Sequence, residues 1–379
     1  MRLTGGCYVG RSRIADGLVL ELHEKVSGSL AALLHFASGT DFRVEHVPGP
    51  SSELGPLIAL LVTHFVEAVR RYAACGRLFA YEKLSMKGSL VGGRLDMTRT
   101  ARLRARGLRH LAAFDKNAVT FDLPINRTVL AALREVERIG RLIQLPRDVV
   151  ARVRTMALLF DDCRNAEVLF GARAEAARKA EKLAESVSDK ALADMLALAA
   201  IILAHESFEH DTPLGGTAPR SWFLNLESLF ERAVRGTMRA MLGSAGTVVA
   251  GRSSPPPIFP PRSDAFRANP DLVVHHAATT PCIGDVKYKQ WNRLPGASDV
   301  YQLLVHASAF AATRAFLVFP ADDFEVQVLG DAVTGARASV YGVDVRNLDN
   351  HIIAMLQDLG VSAMSAMTST ASSATAGAA

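Results

Sequence analysis

The chain has 379 residues, which is long enough for two domains that each bury a hydrophobic core. Hydrophobic residues make up 49% and charged residues 21% of it, as is ordinary for a soluble globular protein. The formal net charge of +5 suits a nucleic-acid partner, but it is equally common as a solubility feature, so charge alone leaves both open.

Cysteine spacing argues against a structural zinc site and against a disulfide framework. Cys7, Cys75, Cys163 and Cys282 are widely separated, and no CxxC or Cys/His cluster occurs. The N-terminus lacks the charged-then-apolar pattern of a signal peptide. The most apolar long stretch, residues 191–205, is too short to span a bilayer. We therefore expect a soluble, cytoplasmic protein with no membrane partner.

The order of predicted elements indicates an α+β or α/β protein, and the first half of the chain is predicted to mix strands with helices. Residues 1–50 suggest short strands with a helical turn or two near Ser29–Phe36. Helical spacing of apolar residues predicts an amphipathic helix over Leu54–Tyr72, and residues 77–123 return to β character. Residues 146–210 are predicted to be wholly helical. The further helices expected in this half run to Ile143 and over Val149–Phe160, Asn165–Leu183 and Asp189–His205.

A basic run lies within the β-like part of this half. Its six members are Arg99, Arg102, Arg104, Arg106, Arg109 and His110. Such a run could line a phosphate-binding groove, or it could be the solvated face of a strand or hairpin. The sequence leaves these alternatives open.

The second half opens with a strong helical pattern over Trp222–Leu242. Glu231 lies at the edge of the apolar stripe of this helix. Its side chain is therefore expected either to point toward the sheet or to pair at the surface with Arg232 or Arg235.

Proline, glycine and serine then predict an extended loop over Gly243–Ala268. Residues from Ser362 onward have a composition that cannot form a core, so residues 362–379 are predicted to be a disordered tail. Between them lie helices expected at Asp299–Ala312 and Asn347–Leu359, and strands expected at Ala315–Phe319, Phe324–Leu329 and Ser339–Val343.

The strongest indication of a catalytic site comes from two apolar runs that carry one acid each. They are Pro270–Val274 and Ile283–Lys289. The short connection between them predicts antiparallel neighbours. Residues two apart in a strand share a face, so Asp285 and Lys287 are expected to project together, with Asp271 meeting them from the adjacent strand. Two carboxylates and an ammonium beside apolar strands are costly to bury unless a cation and a reacting group occupy the site. This pattern predicts a metal-dependent nuclease centre.

The predicted order of elements resembles the α-β-β-α-β core of PD-(D/E)xK nucleases. It consists of a helix, a strand with Asp271, a strand with Asp285 and Lys287, a helix with Gln302, and a further strand. More particularly, the chain resembles McrC, the nuclease subunit of McrBC-type modification-dependent restriction systems. The matching segments are Leu224–Val234, Gly284–Lys289, Asp299–Gln302, Gly93–Asp96 and Asn126-Arg127, with Ile125 standing where the family has an acid.

The resemblance implies roles for individual residues. Asp271 and Asp285 would bind Mg²⁺, or Mn²⁺ in its place, with the Val286 carbonyl as an extra ligand. Lys287 would orient the attacking water and stabilise charge on the phosphate. Glu231 would complete the metal site, and Gln302 would position the Lys287 strand or touch DNA. Residues that could contact the DNA backbone are Tyr288, Lys289 and Trp291, although a core-facing aromatic is equally expected for Tyr288.

The resemblance also implies a partner, because the chain has no Walker-type GxxxxGK[ST] motif. An McrC-type subunit works with a hexameric McrB-like AAA+ GTPase or ATPase on double-stranded, possibly modified DNA. Residues 1–215 would dock on that motor, while residues 216–361 would form the PD-(D/E)xK domain. In the basic run, Arg99, Arg102 and Arg104 could meet DNA or the motor.

The expected function is therefore that of a Mg²⁺-dependent endodeoxyribonuclease subunit in a restriction system that acts in antiphage defence. Two alternatives remain open at this point. One is a stand-alone DNA repair or processing nuclease of the same fold, and the other is a non-catalytic activator of a motor ATPase.

Overall fold

The computed structural model describes residues 6–15, 18–24, 29–38, 54–140, 145–163, 172–205, 209–211, 217–219, 221–251, 255–259, 263–276, 280–289 and 294–361. The chain divides into two compact units. The first unit contains residues 1–10, 21–54 and 223–379, and the second contains residues 11–20 and 55–222. The predicted boundary at residue 216 stays a prediction, and the tail predicted for residues 362–379 lies outside the described residues.

Helices and strands are interspersed along the described chain. The helices are α1 (Ser29–Ser38), α2 (Leu54–Ala74), α3 (Met97–Ala105), α4 (Pro124–Ile139), α5 (Arg147–Leu158), α6 (Arg173–Ser186), α7 (Lys190–Leu203), α8 (Leu226–Leu242), α9 (Ala297–Ala309) and α10 (Leu348–Asp358). The strands are β1 (Tyr8–Ala15), β2 (Leu18–Leu22), β3 (Ala80–Gly88), β4 (Arg94–Leu95), β5 (Ala112–Thr120), β6 (Glu209–Asp211), β7 (Thr217–Pro219), β8 (Ser221–Asn225), β9 (Gly246–Val249), β10 (Pro257–Phe259), β11 (Ser263–Arg267), β12 (Leu272–His276), β13 (Cys282–Val286), β14 (Arg314–Pro320), β15 (Glu325–Asp331) and β16 (Arg337–Val343). This mixture confirms the predicted α+β class.

The first unit is built on a mixed six-stranded sheet with the order β15-β16-β14-β13-β12-β9. Strands β13, β14 and β16 are parallel to one another, while β12 is antiparallel to both β13 and β9. Because a parallel pair needs a crossover connection, α9 joins β13 to β14. The succession α8, β12, β13, α9, β14 confirms the predicted α-β-β-α-β order.

Helix α9 covers one face of this sheet, and α8 packs against the opposite face of β13. Side chains of a strand alternate between the two faces, so Ile283 joins the core under α9 while Gly284 faces the other way. Gly284 has no room for a side chain, because a Cβ would lie 2.3 Å from Cε2 of Phe316 on the neighbouring strand. The core under α9 contains Val273, Ile283, Leu303, Ala307, Ala312, Ala315, Leu317, Phe319, Ala336 and Val340.

Four predictions about local structure were wrong. Residues 146–210 were predicted to be wholly helical, but Glu209 and His210 belong to strand β6. The segment Gly243–Ala268, predicted to be an extended loop, contains β9 and the antiparallel pair β10 and β11. The helix expected to begin at Trp222 begins at Leu226, where the Asn225 side chain caps its first turn. Half of the basic run (Arg99, Arg102 and Arg104) lies on α3 rather than on a strand, because Asp96 accepts a hydrogen bond from the Arg99 N–H (2.8 Å) and starts a helix there.

The second unit combines the antiparallel sheet β3-β5-β4 with packed helices. Helix α4 contacts α5, α6 and α7, and α6 packs along α7. Nearly every residue of β3 is exposed, so neither face of this strand is covered within the described chain. No helix among the described residues combines the length and apolar character needed to cross a membrane.

Two motifs of the second unit have structural roles. At Gly93 a Cβ would lie 2.2 Å from the Asp115 carbonyl oxygen, so the close approach of β4 to β5 requires glycine. The buried Asn126 amide donates to the carbonyl oxygens of Leu78 (2.9 Å) and Phe121 (2.7 Å) and accepts from the Tyr72 hydroxyl (2.7 Å). Asn126 thereby ties the start of α4 to the ends of α2 and β5.

A buried ionic cluster lies at the centre of the helices in the second unit. Glu135 of α4 contacts His205 Nε2 (2.5 Å) and Arg138 Nη2 (2.5 Å), and Arg173 lies within 3.5 Å. The His205 ring stacks on Trp222, with 6.0 Å between the ring centroids. Burial opposes ionisation of Glu135, but the hydrogen bonds from His205 and Arg138 outweigh it and lower the pKa of Glu135 to about 2.

This cluster predicts a pH dependence of folding. Because the pKa of Glu135 is lower in the folded protein, its contribution is fully present above about pH 4.5 and is lost as the pH falls toward 2. A Glu135→Gln variant should lose up to about 3 kcal/mol of unfolding free energy at pH 7. Urea unfolding between pH 7 and pH 2.5 should show a shallower acid loss in Glu135→Gln than in the parent chain.

The matched control is Glu137→Gln on the same helix, whose carboxylate pairs at the surface with Arg154 (2.9 Å). Exposed ion pairs contribute about 0–1 kcal/mol, so this control should keep the acid dependence of the parent. Equal acid dependence in the parent and in Glu135→Gln would contradict the assignment.

Candidate functional site

The register of β12 on β13 brings two acids together. Leu272 pairs with Gly284 in this antiparallel ladder, so Asp271, just before β12, lies beside Asp285 near the end of β13. The Asp271 N–H donates to Asp285 Oδ1 (3.1 Å), and the Val286 N–H donates to Asp271 Oδ2 (2.8 Å). The sequence analysis placed Asp271 within a strand, whereas it lies just before β12. The antiparallel direction of β12 and β13 still brings it to the same edge as Asp285.

Asp285 is buried and its second oxygen faces α9. The side chain is 1% exposed, and Oδ2 lies 3.2 Å from Nδ1 of the buried His306. Sequence analysis missed His306. It lies four residues after Gln302 and seven after Asp299, so the helical period aligns the three residues along one side of α9. The sequence signal that could have identified His306 is its helical spacing from Asp299 and Gln302.

Glu231 acts on the same acids from α8. Its Oε1 lies 2.5 Å from Nη1 of the buried Arg235, one helical turn later, as one of the two sequence alternatives anticipated. Its negative charge nevertheless reaches Asp271. Burial, followed by the charges of Glu231 and Asp285, raises the pKa of Asp271 to about 7, against the opposing effects of the Val286 N–H and of Lys287. The three acids therefore form one electrostatic group.

Lys287 follows β13 directly and is half-buried. Its N–H donates to the Val318 carbonyl oxygen (2.9 Å), which continues the ladder with β14 past the end of β13. The alternation of side chains therefore continues, and the side chains of Lys287 and Asp285 project to the same face of the sheet, the face covered by α9. Its positive charge acts on Asp271. Asp271 and Asp285 are thus linked by hydrogen bonding, and the charges of Glu231 and Lys287 both act on Asp271.

Tyr288 and Lys289 have different surroundings from those expected of DNA contacts. The Tyr288 side chain is buried, its ring lies 5.9 Å from that of Phe230, and its hydroxyl lies 3.3 Å from Ser29 Oγ. The core-facing alternative is therefore the one observed for Tyr288, because it projects to the face opposite Asp285. Lys289 is exposed and pairs with both carboxylate oxygens of the buried Asp299 (2.9 and 3.0 Å), at the start of α9.

The other candidate residues lie apart from the acid pair or outside the described chain. Gln302 is exposed on α9, one turn before His306. Trp291 lies outside the described residues. In the second unit, Arg102 and Arg104 are exposed on α3, and Arg99 is held in ion pairs with Asp96 and Asp115. Their contact with DNA or with a motor stays a prediction.

The donor set fits a hard divalent cation by its chemistry. Within the described ranges, no three His, Cys, Asp or Glu side chains are already grouped around one metal position. Magnesium, however, is often held by only one or two carboxylates together with water and substrate phosphate oxygens. Asp271 and Asp285 supply such a pair. Burial and the negative charges of Glu231 and Asp285 raise the pKa of Asp271, and a bound cation would offset these effects.

Comparison with known proteins gives the family. A search of proteins with curated functions found no match. One solved structure, a half-complex from the tetradecameric assembly of Thermococcus gammatolerans McrB AAA+ hexamers with bound McrC, matches at 17% identity and a TM-score of 0.45, covering 93% of this chain and 83% of that one. A cryo-EM structure of the Thermococcus gammatolerans McrBC complex matches at 18% identity and a TM-score of 0.39, covering 62% and 67%. The model of the McrBC 5-methylcytosine restriction system component family matches residues 3–320. The chain therefore belongs to the family of McrBC 5-methylcytosine restriction system components, as its sequence motifs predicted.

Proposed function

We propose that the chain is the metal-dependent endodeoxyribonuclease subunit of an McrBC-type restriction system. The observation that carries this proposal is the hydrogen-bonded pair Asp271 and Asp285, with Lys287 two residues further on, within the α-β-β-α-β order. Family membership supports a role in restriction. The family description names 5-methylcytosine, so DNA that carries this base is the substrate we propose for the assembled system.

Each residue of the site has a task that its position supports. Asp271 and Asp285 would hold Mg²⁺ or Mn²⁺ through carboxylate oxygens, together with the Val286 carbonyl and with Glu231 nearby. Lys287 would orient the attacking water and stabilise negative charge that develops on the phosphate. When bound, the cation would supply Lewis-acid polarisation of the phosphate and lower the pKa of a water molecule. Gln302, exposed on α9 one turn before His306, would contact the DNA backbone.

The nuclease proposal predicts that the acid pair and the lysine are indispensable. Asp285→Asn and Lys287→Met should each reduce Mg²⁺-dependent DNA cleavage at least about 100-fold, because each removes a charge that acts on the transition state. Cleavage of methylated and unmethylated plasmid would be measured with the purified chain plus an McrB-type AAA+ protein and its nucleotide. Asp322→Asn and Lys182→Met, at exposed positions, are the matched controls and should cleave normally.

The outcomes separate the alternatives. Full activity in both site variants would contradict the proposed centre. Cleavage by the chain alone, without stimulation by the AAA+ protein, would favour a stand-alone nuclease. If the parent chain stimulates the nucleotide hydrolysis of the AAA+ protein but never nicks DNA with Mg²⁺ or Mn²⁺, the non-catalytic activator is the correct alternative.

We also propose that the second unit docks on the AAA+ partner through an exposed apolar surface on and beside the sheet β3-β5-β4. A strand without cover on either face cannot build a core of its own, and apolar side chains concentrated in one part of a surface indicate an interaction site. We use the name exposed apolar surface for the exposed apolar side chains on both faces of this sheet and beside it. They are Leu78, Phe79, Tyr81, Leu84, Met86, Leu90, Val91, Leu95, Met97, Leu108 and Val119.

This docking proposal predicts a loss of partner binding without a loss of folding. Leu90 and Met97 are 84% and 69% exposed, so Leu90→Ser and Met97→Ser should leave the unfolding free energy within about 0.5 kcal/mol of the parent. Together they should weaken binding to the AAA+ protein at least about 10-fold in light-scattering or calorimetric titrations. Leu158→Ser on α5, where the leucine is 70% exposed outside this surface, is the control. Equal binding by the double variant and the control would refute the docking site.

A further inference from the structure

The inference concerns His306, and it rests on the proposed nuclease function. His306 is buried on α9, and its Nδ1 lies 3.2 Å from Oδ2 of Asp285. The other oxygen of Asp285 accepts from the Asp271 N–H. Both oxygens of this buried carboxylate are therefore engaged, one by the neighbouring strand and one by the helix.

The chemistry of the pair fixes which atom carries the proton. A carboxylate that binds a cation is ionised and only accepts hydrogen bonds, so in that state the contact with Nδ1 requires a hydrogen on Nδ1. The donor then holds the Asp285 carboxylate at a set rotation. Each oxygen keeps a second lone pair, so a hydrogen bond from His306 does not prevent Asp285 from binding a cation.

The position of the imidazole is itself constrained. Leu303 and Ala307, which flank His306 on α9, are fully buried in the core under the helix. The first turn of α9 is held by the ion pair between the buried Asp299 and Lys289, which lies just after β13. The ring therefore approaches Asp285 from a helix that is fixed at both its start and its middle.

We propose that His306 is a positioning residue, whose Nδ1–H orients the Asp285 carboxylate for the divalent cation. A buried histidine that only fills the core would need a hydrogen-bond partner, but any buried acceptor would serve. Here the partner is the acid that the proposed function requires. Groups that orient a metal ligand in this way typically change metal affinity about 10–100-fold when they are removed.

The test uses three variants of the full chain that differ in where they place a donor. His306→Asn places an amide N–H near the Nδ1 position, His306→Gln places one near the Nε2 position, and His306→Leu has none. Binding of Mn²⁺ would be measured by electron paramagnetic resonance without DNA, and DNA cleavage would be measured separately at varied Mg²⁺ concentration. Thermal unfolding would confirm that each variant is folded.

The proposal expects His306→Asn to bind Mn²⁺ within about 3-fold of the parent, and His306→Gln and His306→Leu to bind about 10–100-fold more weakly. The Mg²⁺ concentration for half-maximal cleavage should rise in the same order. If His306→Leu does not fold, the contrast between His306→Asn and His306→Gln decides. The role of His306 would be overturned if all folded variants bound Mn²⁺ with equal affinity. It would also be overturned if His306→Asn and His306→Gln lost the same amount of Mn²⁺ affinity.

Failure of the underlying function looks different. A parent chain that neither binds Mn²⁺ nor cleaves DNA beside its AAA+ partner overturns both proposals. A parent chain that does both, with His306→Leu unchanged, overturns only the inference about His306.

Discussion

Two hydrogen bonds link the adjacent ends of β12 and β13, and the geometry of the candidate site depends on them. The Asp271 N–H donates to the Asp285 carboxylate, and the Val286 N–H donates to the Asp271 carboxylate. A buried carboxylate without donors is costly, so each acid needs partners that the fold holds in place. Here main-chain N–H groups provide those partners, and they exist only in this antiparallel register. A slip of one residue would turn Asp285 to the other face of the sheet and break the pair.

The alternation of side chains along β13 separates chemistry from support. Ile283, Asp285 and Lys287 share the α9 side, where His306 meets Asp285. Gly284 and Tyr288 share the opposite side, where Phe316 fills the space beside Gly284 and Phe230 packs on Tyr288. The hydroxyl of Tyr288 reaches Ser29 of α1, a helix from early in the chain that belongs to the same compact unit. The strand that carries the acid and the lysine is therefore supported from both faces.

The second unit shows the same division between residues that fix structure and residues that remain exposed. Gly93, Asp96 and Asn126, which belong to family-like motifs, permit a close strand approach, cap a helix and join three chain segments. These tasks are structural, and they account for the motifs without any contact to DNA. The exposed apolar surface, in contrast, leaves large side chains such as Leu90 and Met97 open to solvent. Its side chains are available to a partner.

The sequence by itself determined the order of elements around the site and the identity of the acids and the lysine, because strand alternation and helical spacing are local properties. It also indicated the family, through short motifs near Asp285 and Gly93. It could not decide between alternatives that depend on distant neighbours. The pairing of Glu231 with Arg235, the burial of Tyr288 against Phe230 and the contact of His306 with Asp285 all required the packing of α8 and α9 on the sheet. Only the tertiary structure decided these three contacts. Each depends on the side chains that the fold brings together from distant elements, or on the direction in which a helix face points.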